Sequence, residues 1–373
     1  MRHSLLFISY LVVSLLAHSA VTAQEQAAVT QRPATKTSQP GDSAPAKAQS
    51  RQRSGQAQPL ERANAFLATL SDAERKRATL AYDVEQRVAW HFVPLESRKG
   101  LPLMDMTAEQ QAAARKLLRS VVSKLGYDQA TTIMLLEGIL LKLEGADRAH
   151  VRNPEKYYFT VFGQAAKGQT WGLSIEGHHL SLNFSFVGNK FVDSTPQFMG
   201  SNPAELRSSF GEKFPKGFRV LADEEQLGFQ LVKSLDEQQL SAAMLPGEVP
   251  EEIRGAGKAQ PVLEPAAGIS ASQLSSDQRA LLKKLIEAYS NKMRPSVAKQ
   301  RWALIDESGF EHVKFAWAGA LKPGVGHYYR IQGGTFEIEF INVQADAEGN
   351  PANHIHCVWR DLQGDFNLPI QQR

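Results

Sequence analysis

Four of the ten histidines in this 373-residue chain fall in two short strings, His178-His179 and His354-Ile355-His356. Neutral imidazole is a ligand for zinc, copper, nickel and iron. Residues two apart on a strand point to the same face, so His354 and His356 can offer two ligands together. A third histidine from the other string would complete a three-histidine site with an open position, the arrangement that activates water. Zinc is the first candidate for such a site. Copper or iron at the same residues would make it a redox centre. Adjacent strand residues point opposite ways, so one of His178 and His179 is expected to bind and the other to pack. Extrapolated strand parity puts His179 with Ser181 and Asn183 on the polar face and favours His179.

Downstream of His356, Asp361 or Asp365 could serve as a further ligand, as a partner orienting an imidazole, or as a general base. Arg360 shares the parity of His354 and His356 and could hold an anionic substrate. Cys357 has the opposite parity, lies among Ile355, Val358 and Trp359, and reads as a buried, inert thiol. His91, His150, His312 and His327 are isolated and read as structural or surface residues. Competing catalytic signatures are absent. There is no Gly-x-Ser-x-Gly elbow, no Gly-rich loop ending in Gly-Lys-Ser/Thr and no His-Glu-x-x-His helix.

Composition narrows the class. Apolar residues are 42% and charged residues 22%, ordinary globular usage. Forty-two Lys and Arg against 39 Asp and Glu give a net charge of +3, too even for a nucleic-acid surface. The one cysteine excludes an intramolecular disulfide and any multi-cysteine metal site.

Several elements must position the histidines. Residues 1–23 read as a secretory signal peptide: a positive start, an apolar run from Leu5 to Ala17, and Val21-Thr22-Ala23 before a cut at Gln24. The expected location is therefore periplasmic or secreted, with no membrane span once the leader is removed. Residues 24–60 lack aromatics and almost all branched aliphatics and read as a disordered linker. Helical spacing runs from Leu60 to Asp83. Thr107 and Gln110 form a capping-box pattern opening a helix that Gly126 should stop, and Asp128 starts another to about Glu144. Tyr157–Phe186 is of β type, 222–245 is helical, and 246–272 is rich in Pro, Gly and Ala.

The order then repeats. Residues 107–118 and 275–286 share four of twelve positions, and 159–186 aligns without gaps to 315–342 with six identities in 28. Chance would give about two. The expected fold is α+β, with two similar halves over 61–250 and 270–373 joined by a linker over 251–269. Each half should pack helices on a small antiparallel sheet, as an internal duplication. Gly333-Gly334 should be the hairpin turn of the second half. Phe336, Ile338 and Phe340 should face the core, with Thr335, Glu337 and Glu339 facing away.

The strings Glu176-Gly177-His178-His179-Leu180-Ser181 and His354-Ile355-His356-Cys357-Val358-Trp359-Arg360-Asp361 resemble a bacterial family known as domain of unknown function 3500. Trp90-His91-Phe92-Val93-Pro94 and Tyr328-Tyr329-Arg330-Ile331-Gln332-Gly333 extend the resemblance over roughly residues 75–370. It implies that both histidine strings belong to the family pattern. It supplies no activity. Members often carry Gly after the Asp-Phe pair, where this chain has Asn367. Together these readings suggest an exported, metal-dependent, hydrolase-like enzyme acting on an unknown small-molecule or peptide ligand. The alternative is a non-catalytic metal- or ligand-binding protein.

Overall fold

The computed structural model describes residues 58–370. The expected leader over 1–23 and nearly all of the expected linker over 24–60 lie outside the described residues. The helices and strands run α1 (Pro59–Ala68), α2 (Asp72–Ala78), β1 (Thr79–Leu80), β2 (Leu101–Pro102), α3 (Ala108–Val121) and α4 (Lys124–Glu144). Then come β3 (Tyr158–Gly163), β4 (Thr170–Gly177), β5 (Leu180–Val187), β6 (Lys190–Asp193), β7 (Gln197–Ser201), α5 (Ala222–Lys233) and α6 (Glu237–Ala243). The chain continues through β8 (Ile269–Ser270), α7 (Ser276–Ser290), α8 (Pro295–Glu307), β9 (Lys314–Gly319), β10 (His327–Gln332), β11 (Phe336–Asn342) and β12 (Ile355–Asp361).

The expected pair of small sheets does not form. The strands make one twelve-stranded mixed sheet in the order β1-β3-β4-β5-β7-β12-β11-β10-β9-β8, with β2 beside β3 and β6 beside β5. The joint is the antiparallel pairing of β7 with β12, from Ser201 opposite Ile355 to Gln197 opposite Trp359. Each of these strands would otherwise be an edge with unpaired backbone groups, and joining them satisfies both rows. The aligned segments 159–186 and 315–342 become β3–β5 and β9–β11, in opposite arms of this sheet.

The helices gather on one face. Phe66, Leu117, Leu118, Ile133, Leu231, Leu282 and Ile286 pack there against Phe159, Val161, Ile175, Leu182, Ile331, Ile338 and Phe340. Capping boxes at Thr107/Gln110 and Ser275/Gln278 start α3 and α7, as the sequence pattern requires. Gly126 does not stop a helix. It lies in the first turn of α4, which is capped by Ser123. A Cβ at Gly126 would stand 2.2 Å from the Lys292 carbonyl oxygen. The residue is glycine because the loop after α7 crosses the helix there. Gly126→Ala is therefore expected to destabilise by about 1–3 kcal/mol, the range for overpacking, read as a lower denaturant midpoint.

The opposite face is also buried. Trp90, Phe92, Phe198, Ile253, Tyr328, Ile341, Val358 and Phe366 form a second apolar cluster. Irregular segments around 88–100, 246–262 and 364–368 cover it. Thr335, Glu337 and Glu339 are thus not solvated, contrary to the alternation reading. Arg254 in the 246–262 segment donates from its guanidinium to Glu337 and from its backbone N–H to Glu339 at 3.1 and 3.2 Å, and Glu339 also accepts from the Tyr328 hydroxyl. The turn also differs by one residue. The Gly333 N–H donates to the Phe336 carbonyl, so Gly334 and Thr335 make the loop.

Burial and the neighbouring Glu339 raise the Glu337 carboxyl to about 8 from the ordinary 4.5. The folded chain thus keeps a proton that the unfolded chain releases near 4.5. Between these values folding takes up a proton, so this contribution to stability falls as pH rises from about 5 to 8. Glu337→Gln is expected to flatten the melting-temperature profile over that window. Parallel profiles for the two chains would refute the assignment.

Near the C-terminus, Phe366 and Asn367 both adopt left-handed backbone, with φ of 60° and 55°. Asparagine tolerates this region better than most residues, so Asn367 can stand where glycine is common.

Candidate metal centre

His178 and His179 form the loop between β4 and β5, where Gly177 pairs with Leu180. His179 has φ of 59°. Its N–H donates to the Phe92 carbonyl at 2.9 Å, and its carbonyl accepts from the Gly200 N–H at 2.8 Å. A Cβ on Gly200 would stand 2.8 Å from His179 Cδ2. The missing side chain is what lets the imidazole lie over β7. Gly200 is opposite His356 in the β7–β12 register, so the same spot brings the two rings together.

His354 immediately precedes β12. Its N–H donates to Asn342 Oδ1 at 3.0 Å, and the Asn342 amide is held by Glu225 at 2.7 Å. The result is a convergence of three ring nitrogens. His354 Nε2 lies 2.7 Å from His179 Nε2 and 3.1 Å from His356 Nε2. His179 and His356 are buried, while His354 is half-buried.

The outer nitrogens fix which lone pairs point inward. His356 Nδ1 lies 2.8 Å from both oxygens of Glu252. That nitrogen therefore carries the proton, leaving Nε2 a free lone pair, the carboxylate–histidine pattern of metal ligands. His354 Nδ1 faces the Asn202 amide at 3.4 Å, and Asn202 Oδ1 has no other partner. With the amide turned so that Oδ1 accepts from Nδ1–H, His354 Nε2 is also free. Phe92 packs edge-on to His356 at 4.9 Å, and Phe198 lies 5.5 Å from it.

Burial, followed by the neighbouring imidazoles, holds His179 well below the usual histidine range. Burial and His356 lower His354 to about 3. Both shifts favour the neutral form of these two rings, the form that offers a lone pair to a metal. His179, His354 and His356 could hold a metal ion.

A second group adjoins the first. Glu137 on α4 places Oε1 2.5 Å from His178 Nδ1, and the His178 and His179 rings stack at 3.7 Å. Glu137, His178 and His179 are also close enough to hold an ion. Arg152 NH1, however, lies 2.8 Å from the same His178 nitrogen, where a cation would have to sit. Glu144 takes the Arg152 charge through contacts of 2.7 and 2.8 Å. Glu137 is left without a full counter-charge, and burial raises it to about 8. The Tyr157 hydroxyl fixes the His178 carbonyl at 2.8 Å. His178 thus buttresses His179 from behind.

The other sequence candidates are not brought to the histidines as ligands. Arg360 Nε binds Asp365 at 2.5 Å, and its remaining donors go to the carbonyls of Gly255 and Lys258. Asp361 ion-pairs with Arg301, which also meets Asp193 at 2.7 Å. Cys357 is buried and donates to the Met199 carbonyl at 3.1 Å. Burial raises its thiol to about 12.

Sequence reasoning missed Glu252, Glu137 and Asn202. Only Glu137 left a signal, a carboxylate on a helix side otherwise carrying Ile133, Leu136 and Leu140.

A family model described as protein of unknown function (DUF3500) matches residues 52–368, and the chain belongs to that family. No curated protein and no solved structure matches the chain.

Proposed function

We propose that this DUF3500 member binds a divalent transition metal, zinc first, through His179, His354 and His356, and acts as a metal-dependent hydrolase outside the cytoplasm. The observation that carries the reading is the convergence of three Nε2 atoms, with the His356 Nδ1 already held by Glu252. A metal on three histidines lowers the pKa of a bound water toward neutrality and so supplies a nucleophile. In this chain Glu252 orients His356, Asn202 and Asn342 orient His354, and Phe92 with Phe198 shields the rings from water. Asp361, Asp365 and Arg360 are given no step, because their polar atoms serve buried pairs. Export rests on the leader-like start alone.

The burial of His179 and His356 favours a second reading, in which the centre stores or senses metal without turnover. Copper or iron in place of zinc would make the chemistry redox. The test is metal content by mass spectrometry on the purified chain and on His354→Ala/His356→Ala. The expected result is near-stoichiometric metal in the parent and background levels in the variant. A parent that stays empty after zinc and copper reconstitution refutes the proposal.

A further inference from the structure

Between α2, β2 and the segment entering β3 lies a cleft of about 700 Å³. Its walls carry the cations Lys76, Arg77, Arg98, Lys99 and Lys156, against the carboxylates Glu96 and Asp105. Two of the cations are neutralised: Arg77 by Asp105 at 2.6 Å and Lys99 by Glu176 at 2.7 Å. Arg98 and Lys156 are not. The Arg98 guanidinium donates to the carbonyls of His91 and Val93, and Lys156 Nζ to the carbonyl of His150. Among the described residues no carboxylate forms an ion pair with either. Both are half-buried, and each carries a charge that desolvation penalises.

The same two residues line a narrow inner pocket of about 10 Å³, room for roughly one water, bounded by Glu137 and His178. There Glu137 Oε2 is buried without a hydrogen-bond partner. Arg98 and Lys156 thus stand where an open cleft narrows toward the ring stacked on His179.

Arg98 and Lys156 repel each other, and although Glu96 acts on Lys156 and Glu176 and Glu137 on Arg98, none of the three carboxylates hydrogen-bonds to either cation. The group that reverses this repulsion is an oxyanion, which accepts from both at once. We propose that the cleft binds an anionic group, carboxylate or phosphoryl, with Arg98 and Lys156 as its contacts. The site stands apart from the metal-site reading.

The test is calorimetric titration of inorganic phosphate, and in parallel acetate, into the full chain stripped of metal by a chelator, at low ionic strength. Phosphate is expected to bind the parent and to bind Arg98→Gln/Lys156→Gln at least tenfold more weakly, with Lys156→Gln alone losing part of the binding at an unchanged melting temperature. A control that removes the same charge from α7, Lys283→Gln/Lys284→Gln, is expected to bind like the parent. Tighter phosphate than acetate assigns a phosphoryl ligand, and the reverse a carboxylate. The proposal is overturned by no binding of either anion to the metal-free chain, or by equal losses in both double variants, which would mean diffuse surface charge. A chain that binds phosphate in this way yet never holds metal sinks the metal reading and leaves the anion site standing.

Discussion

An Asp365→Ala chain is expected to lose about 3–5 kcal/mol of stability, the range for breaking a buried ion pair from one side. Arg360 and Asp365 are 1% and 0% exposed in their side chains, so the stranded guanidinium cannot reach water. Its other partners, the carbonyls of Gly255 and Lys258, carry no compensating charge. Asp365 also accepts the Asp361 N–H at 2.9 Å, which anchors the end of β12. For a domain of this size the loss lowers the melting temperature by on the order of 10 °C. Replacing both partners with apolar residues, Arg360→Met/Asp365→Leu, should recover part of it, since desolvation of the two charges is then avoided. An Asp365→Ala chain that melts like the parent would return Asp365 to the list of chemical candidates.

The second large effect is on metal affinity. Glu252→Gln is expected to weaken binding about 10–100-fold, the usual consequence of losing a carboxylate behind a histidine ligand. Glutamine can still accept a hydrogen bond from His356 Nδ1–H, but without the negative charge that makes the ring a stronger donor. The Glu252 side chain is 32% exposed, so the fold should tolerate the change and the melting temperature of the metal-free chain should hold. Competition against a chromophoric chelator reads the affinity. Equal affinities in the two chains would place the metal elsewhere or nowhere.

The two histidine strings were legible as strings: His354 and His356 are two residues apart, and His178-His179 follow Gly177. Strand parity did not sort the pair, because both residues form the β4–β5 loop and His179 has φ of 59°. Alternation was legible too: Phe336, Ile338 and Phe340 do line the helix-side core. What alternation does not report is the cover on the other face. Glu337 and Glu339 look solvated in a strand pattern, yet Arg254 from an irregular segment lies over them. The same segment brings Glu252 to His356. A stretch without periodicity reads as a connector, and nothing in its residue types says which sheet face it will cross. The two-sheet expectation failed for a related reason. The pairing of β7 with β12 depends on backbone groups, which every sequence shares, and on a register set by residues nearly half the chain apart.

That central pairing has a consequence for synthesis. β7 is complete long before β12 leaves the ribosome, so a nascent chain carries an uncapped strand from Gln197 to Ser201 that includes the apolar Phe198 and Met199. Such an exposed edge invites pairing with other chains. A chain truncated before β12 should therefore aggregate where the whole protein stays dispersed. Its partner strand, supplied separately as a fragment spanning residues 269–370, is the natural agent to rescue it.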